Sequence, residues 1–227
     1  MQFETVNLAN NNLTGKWSHA SSRKQLIIVC HGYQGSSKDP TIIAITHGLN
    51  KKGHDTFTFN FSENTGGFDI KHQVGDVAQI VNHFKDYNEL ILLAGSFAAL
   101  TVAIATIQLS RINRLITLNG FFGQGDVGQE HRKTYIKFRV AALIIPKYRK
   151  ILLYYKSRLQ PERIAVPVLV IHSKVDKYVF IKQSQDFYRQ VTSPKHFVEL
   201  DNANHGLTSQ KDRKMVVSEI DKWLKTT

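Results

Sequence analysis

Three side chains, each past the end of its own short apolar run, have the types needed for nucleophilic catalysis. Ser96 lies in Ala94-Gly95-Ser96-Phe97-Ala98, between the apolar run 90–93 and the helical spacing of 99–109. A serine at a tight strand-to-helix turn is held clear of the sheet, and the helix N-terminus behind it favours negative charge. Strand and helix nearly touch at such a turn, so the positions two before and two after must be small. Both are alanine here. The same serine could instead only cap the helix. Asp176 follows the run 166–172 in Ser173-Lys174-Val175-Asp176. An acid past the C-terminal end of a parallel strand faces the ligand edge of a sheet, although alone it reads equally well as a loop or cap residue. His205 follows the run 196–200, in the polar loop Asp201-Asn202-Ala203-Asn204-His205-Gly206. A fourth feature is His31-Gly32-Tyr33-Gln34-Gly35-Ser36-Ser37, directly after Gln25–Cys30. Such a loop can turn backbone N–H groups toward a developing oxyanion. The N–H of Tyr33 would be one donor and that of Phe97 the other.

These residues need a scaffold that brings strand ends together. Apolar, β-branched runs recur at 25–30, 56–61, 89–94, 115–118, 166–172 and 196–200. Each is too short for a helix and nearly continuous in apolar character, as central strands of a parallel sheet are. Helical spacing lies between them at 74–84, 101–109, 180–191 and 214–224. Strands alternating with helices predict an α/β domain with a mainly parallel sheet flanked by helices. Residues 1–20 read as an N-terminal hairpin. The interval between Leu118 and Val166 breaks the rhythm: it is far longer than a crossover requires, and its apolar residues suggest two helices divided at Pro146. An insertion of this size near strand ends reads as a lid over a site, here about 121–163. Gly120, Gly123, Gly125 and Gly128 are placed to act as its hinges. The expected organisation is a single domain, 1–227.

Composition narrows the function classes. The chain has 227 residues, 42% hydrophobic and 21% charged, which is ordinary globular composition. Its single cysteine, Cys30, excludes an intramolecular disulfide and a cysteine-rich zinc site, and its apolar setting reads as a buried, inert thiol. No histidine pair combines ligand spacing with a supporting carboxylate, so no metal is expected. Gly66-Gly67 lacks the Gly-Lys-Ser/Thr of a phosphate loop. The first ten residues lack a signal peptide's basic start, and no apolar run approaches ~18 residues, so a cytoplasmic protein is expected. The net charge of +12 is concentrated locally. Arg132, Lys133, Lys137, Arg139, Lys147, Arg149, Lys150, Lys156, Arg158 and Arg163 face only Glu162 in that segment. The segment reads as a solvated polar face, with attraction of an anionic substrate or a membrane surface as the alternative. Interleaved tyrosines and Phe138 permit nucleic-acid binding, but no known module accompanies them, and none is expected.

The chain order Ser, Asp, His is that of α/β-hydrolases rather than of chymotrypsin or subtilisin. From His31-Gly32 through Ser96 and Asp176 to His205-Gly206, the sequence resembles the α/β-hydrolase superfamily. It is most similar to small serine esterases with a helical lid, of the bacterial carboxylesterase and cinnamoyl-esterase-like group. It departs from that group at Ala94, Ala98 and at Ser173, where glycine is frequent. The resemblance implies Ser96 as nucleophile, Asp176 as acid and His205 as general base, with no cofactor. It implies a small-molecule ester as substrate, for which an anionic or aromatic character is open. Asp201 and Asp39 compete with Asp176; Asp201 lies in the wrong connection, and Asp39 precedes Pro40 as the start of the first helix. His31 reads as a structural loop residue. The same triad would serve a thioesterase, acyltransferase or peptidase, and alanine at both elbow positions leaves open a catalytically silent binding protein. Oligomeric state is not legible.

Overall fold

The computed structural model describes residues 2–8, 13–19, 25–62, 69–123, 140, 149, 153–154 and 157–226. Among these, the strands are β1 (Gln2–Leu8), β2 (Leu13–His19), β3 (Gln25–Cys30), β4 (Asp55–Phe59), β5 (Glu89–Gly95), β6 (Ile112–Leu118), β7 (Val168–Ser173) and β8 (Lys195–Leu200). The α-helices are α1 (Pro40–Lys51), α2 (Ile70–His83), α3 (Ala98–Gln108), α4 (Ile181–Gln190) and α5 (Gln210–Thr226), with one 3-10 turn at Pro161–Arg163. The sheet order is β1-β2-β4-β3-β5-β6-β7-β8. β1 and β2 form the expected antiparallel hairpin, and β2 joins β4 antiparallel. From β4 to β8 all pairings are parallel. The strands that precede Tyr33, Ser96, Asp176 and His205 therefore all end on one edge of the sheet. The strand order reverses between β3 and β5, and a crevice opens at such a switch point, outside the strands' C-terminal ends.

Period-2 alternation explains how a continuous apolar run buries both faces. Leu26, Ile28 and Cys30 point into one core with Leu90, Leu92 and Ala94, under α2, α3 and α4. Ile27 and Val29 point the other way with Ile91, Leu93, Ile116 and Ile171, under α1 and α5. Each fully buried aliphatic or aromatic side chain contributes ~1.5–3 kcal/mol over an exposed one. Helix α3 departs from the one-faced pattern read in its sequence, because Ala98 through Thr106 are buried all round. It lies wedged between α2 and the strands β5 and β6.

Element ends differ from the sequence reading by a few residues, each for a local reason. α2 begins at Ile70 rather than 74, because the Asp69 carboxylate accepts from the His72 N–H at 3.1 Å and caps it. β7 begins at Val168, after Pro167 has already accepted from the Leu115 N–H. β6 begins at Ile112, three residues before its apolar run. Its register skips Asn113, whose side chain accepts from the Leu90 N–H at 2.9 Å and replaces the missing ladder bond. The lid expected at 121–163 falls largely outside the described residues. Among the described residues, no helix is long and apolar enough to cross a membrane.

Candidate active site

Ser96 follows the last residue of β5 with a φ of 52°, in the left-handed region that an L side chain seldom occupies. Its main chain is pinned from several directions. The Ser96 N–H donates to the Leu118 carbonyl at 3.0 Å, and the Ser96 carbonyl accepts from Ala99 and Phe121 N–H groups at 3.1 and 2.9 Å. Strain of this kind persists only where the surroundings over-determine it. Among the described residues, the other non-glycine positions with positive φ are Gln34, Asn119 and Leu207. All four lie in the connections that leave β3, β5, β6 and β8 at the same sheet edge.

The Ser96 hydroxyl lies 2.9 Å from Nε2 of His205, and Nδ1 of His205 lies 2.6 Å from Oδ2 of Asp176. The other Asp176 oxygen accepts from the Tyr178 and Val179 N–H groups at 2.8 and 3.0 Å. Burial alone would push the Asp176 carboxyl up, but the bond and charge of His205 and the two N–H donors outweigh it and hold it below the usual carboxylate range. An ionised Asp176 requires a proton on Nδ1 of His205. The Nε2 lone pair then faces the serine hydroxyl, as a base must.

Asp176 is supported by His172, which a reading for catalytic types passed over because it ends an apolar strand. Its Nε2–H donates to the Val179 carbonyl at 2.9 Å and lies 3.6 Å from Oδ2 of Asp176. Its Nδ1 accepts from the Ser184 hydroxyl at 2.6 Å. Burial pushes the His172 imidazole down from its ordinary value, and a neutral ring suits that hydrogen-bond pattern. His172 and Ser184 are both fully buried.

The loop after β3 packs directly on the serine. A Cβ placed on Gly32 would lie 3.1 Å from Cβ of Ser96 and 3.4 Å from the Gly95 carbonyl. Tyr33 follows in a turn closed by the Gly35 N–H donating to the Gly32 carbonyl at 3.1 Å. The Tyr33 and Phe97 rings meet edge-on at 6.4 Å, so the two residues expected to supply oxyanion donors are neighbours. Phe97 stacks on Phe121 at 5.6 Å, and the Tyr178 ring lies 5.3 Å from that of His205. Aromatic side chains thus flank both the serine turn and the His205 ring.

The structure brings Ser96, His205 and Asp176 together and keeps their rivals apart. Asp201 pairs with Lys174 at 2.6 Å, and that bond holds its carboxyl low. Asp39 precedes α1, but its carboxylate accepts from the Ser36 N–H at 2.9 Å rather than capping the helix. His31 is a loop fixture whose Nδ1–H donates to the Gly32 carbonyl and whose Nε2 accepts from the Phe61 N–H. Burial pushes the Cys30 thiol far up, and it faces the core. Among the described residues, no group of three or more His, Cys, Asp or Glu could hold a metal ion.

Comparison with known proteins agrees with this architecture. The family model of PhoPQ-activated pathogenicity-related protein matches residues 133–226. No curated protein matches the chain by sequence. Alpha/beta hydrolase domain-containing protein 10 from mouse superposes with a TM-score of 0.75 at 15% identity, covering 99% of each chain. Est1E from Butyrivibrio proteoclasticus, solved with ferulic acid bound, gives 0.74 at 16% identity, covering 94% of each chain. The Pyrococcus furiosus esterase Pf2001 gives 0.73 at 19% identity, covering 99% of this chain and 90% of that one. The chain has the α/β-hydrolase fold.

Proposed function

We propose that the chain is a serine hydrolase that cleaves carboxylic esters through an acyl-enzyme. The observation that carries this reading is the hydrogen-bonded series from the Ser96 hydroxyl through His205 to Asp176, 2.9 and 2.6 Å long. A serine hydroxyl is a weak nucleophile until a base removes its proton. In this reading Ser96 Oγ attacks the ester carbonyl carbon as Nε2 of His205 takes the hydroxyl proton. The carbonyl electron pair moves onto oxygen, and the N–H groups of Tyr33 and Phe97 stabilise that oxyanion. Asp176 holds the imidazole in the required tautomer and stabilises its charged form. Collapse breaks the bond to the alcohol, which leaves with the proton from His205. Water then attacks the acyl-enzyme, gives a proton to His205, and the acid departs as Ser96 regains its proton.

The likeness in fold to esterases such as Est1E and Pf2001 supports this reading. The aromatic side chains of Tyr33, Phe97, Phe121 and Tyr178 beside the serine turn and His205 support a small-molecule ester with an apolar or aromatic portion. The test is labelling with a fluorophosphonate, with the adduct located by mass spectrometry, beside hydrolysis of p-nitrophenyl esters of graded acyl length. The expected result is a single adduct on Ser96, absent in Ser96→Ala and nearly absent in His205→Ala, with turnover lost in the same variants. A folded protein that forms no adduct and turns over no activated ester would refute it.

A further inference from the structure

The loop that carries His205 is anchored chiefly through its own carbonyls. Four consecutive ones, Ala203 to Gly206, are taken by hydrogen bonds. The Ser173 hydroxyl donates to Ala203, and the Thr41 hydroxyl donates to Gly206 at 2.6 Å. The Asn119 side-chain amide donates to His205 at 2.8 Å and, more distantly, to Asn204 at 3.4 Å. Asn204 also accepts from the Leu207 N–H at 3.0 Å. Asn119 and Ser173 are joined as well, since Oδ1 of Asn119 accepts from the Ser173 N–H at 2.9 Å. Both residues are buried, at 2% and 0% exposure. Asn119 sits at a φ of 46°, a backbone state that asparagine tolerates better than most residues, and its own N–H still donates to Ile171. The ends of β6 and β7 are thereby tied to each other and to the histidine loop.

We infer that Asn119 and Ser173 are positioning residues that fix the backbone of His205 so that its ring spans Ser96 and Asp176. The inference rests on the proposed role of that pair of contacts. A residue without a hydroxyl at 173 would leave the Ala203 carbonyl without this donor. Neither side chain touches the reacting atoms; each acts through the loop. A misplacement near 1 Å at a catalytic group costs on the order of 10²-fold in rate. The two should also be coupled, because they hold one loop and contact each other.

The experiment uses the whole chain with Asn119→Asp, Asn119→Gly, Ser173→Ala and the double variant Asn119→Gly/Ser173→Ala. Asn119→Asp keeps the acceptor for Ser173 and loses the donor to His205; Asn119→Gly tolerates the backbone state and removes both. The first readout is the proton NMR signal of Nδ1–H of His205, assigned by its loss in His205→Ala, which reports the bond to Asp176 whether or not the protein is an esterase. The second is the division between kcat and KM on a p-nitrophenyl ester. The expected result is an upfield-shifted or exchange-broadened His205 signal in each variant, with kcat lower by about 10- to 100-fold for the Asn119 variants and KM within about twofold. The double variant should lose less than the product of the single losses. Folded variants with an unchanged His205 signal overturn the inference. If every Asn119 variant fails to fold, Ser173→Ala decides alone: a shifted signal supports the inference and an unchanged one overturns it. A wild type without esterase activity but with variant-sensitive His205 protons would instead refute the proposed function and leave the positioning role standing.

Discussion

Asp176→Asn puts the proposed chemistry under the sharpest strain, because the surroundings dictate which way the new amide must lie. One Asp176 oxygen accepts from two backbone N–H groups, of Tyr178 and Val179, and the other accepts from Nδ1 of His205. If the amide nitrogen faced the two N–H groups, both donors would lose their acceptor, and the buried one of Val179 alone would cost ~1–3 kcal/mol. The oxygen therefore stays with Tyr178 and Val179, and the NH2 turns toward His205. Nδ1 must then accept, which moves the ring proton to Nε2, where it points at the Ser96 hydroxyl. The lone pair that should receive the serine proton is gone, although every heavy atom keeps its place. Loss of the correct tautomer in a Ser-His-Asp site costs ~10⁴-fold in kcat, or about 5.4 kcal/mol of barrier. The assay is steady-state hydrolysis of a p-nitrophenyl ester alongside thermal unfolding. The expected outcome is a collapse in kcat with KM and fold preserved. A folded Asp176→Asn protein retaining more than about a tenth of the parent kcat would refute the tautomer argument.

Three further outcomes follow from the same geometry. Gly32→Ala would set a methyl 3.1 Å from Cβ of Ser96, so the serine or the Tyr33 loop must shift by a few tenths of an ångström. Steady-state kinetics should show kcat lower by about 10- to 100-fold, and parent-like kcat would count against close packing there. Burial depresses the His172 pKa from 6.5, so the unfolded chain binds more protons there than the folded one, and stability falls as pH drops through that value. Melting temperature between pH 7.5 and 5 should fall less steeply in His172→Gln than in the parent, and identical slopes would refute the assignment. Gln34 is exposed and held at a φ of 53° in the Gly32–Gly35 turn, so Gln34→Gly should relieve strain at little packing cost. A gain of ~0.5–1 kcal/mol is expected, and calorimetry showing a lower melting temperature would contradict it.

Much of the fold was legible because its core strands are buried on both faces and therefore apolar throughout. Gln25–Cys30 was read with its bounds, and the hairpin and the parallel run were recovered from apolar patterning. The errors gather where a polar residue serves the fold rather than water. Arg114 lies inside β6 yet is buried, donating to the Leu224 carbonyl and contacting Glu89, so it looked like a loop residue before the strand. Asn113 hid the same strand start by patching a bulge. The three residues brought together at the site were legible from type and from their places after strands. Their supports were not. Asn119 and Ser173 make hydrogen bonds to partners 30 to 86 positions away, which nothing in their local spacing announces, and His172, inside an apolar strand, pairs with Val179 and Ser184 in the connection that follows it.

The two elbow alanines show the same dependence on distant residues. Read within five residues, Ala94 and Ala98 crowd a turn where strand and helix nearly touch. In the fold they are fully buried, and the room comes from elsewhere. Gly120, beyond β6, leaves empty the place where a Cβ would lie 2.9 Å from that of Ala99 at the start of α3. Gly32, beyond β3, leaves empty the place beside Ser96 itself. Smallness is thus required of the whole crevice between β3, β5 and β6, not of fixed positions within one turn, and glycines in the connections after the neighbouring strands can meet it. A departure from the usual elbow pattern therefore says little by itself about whether the serine is presented; what decides it is the positive φ of Ser96 and the 2.9 Å approach of His205.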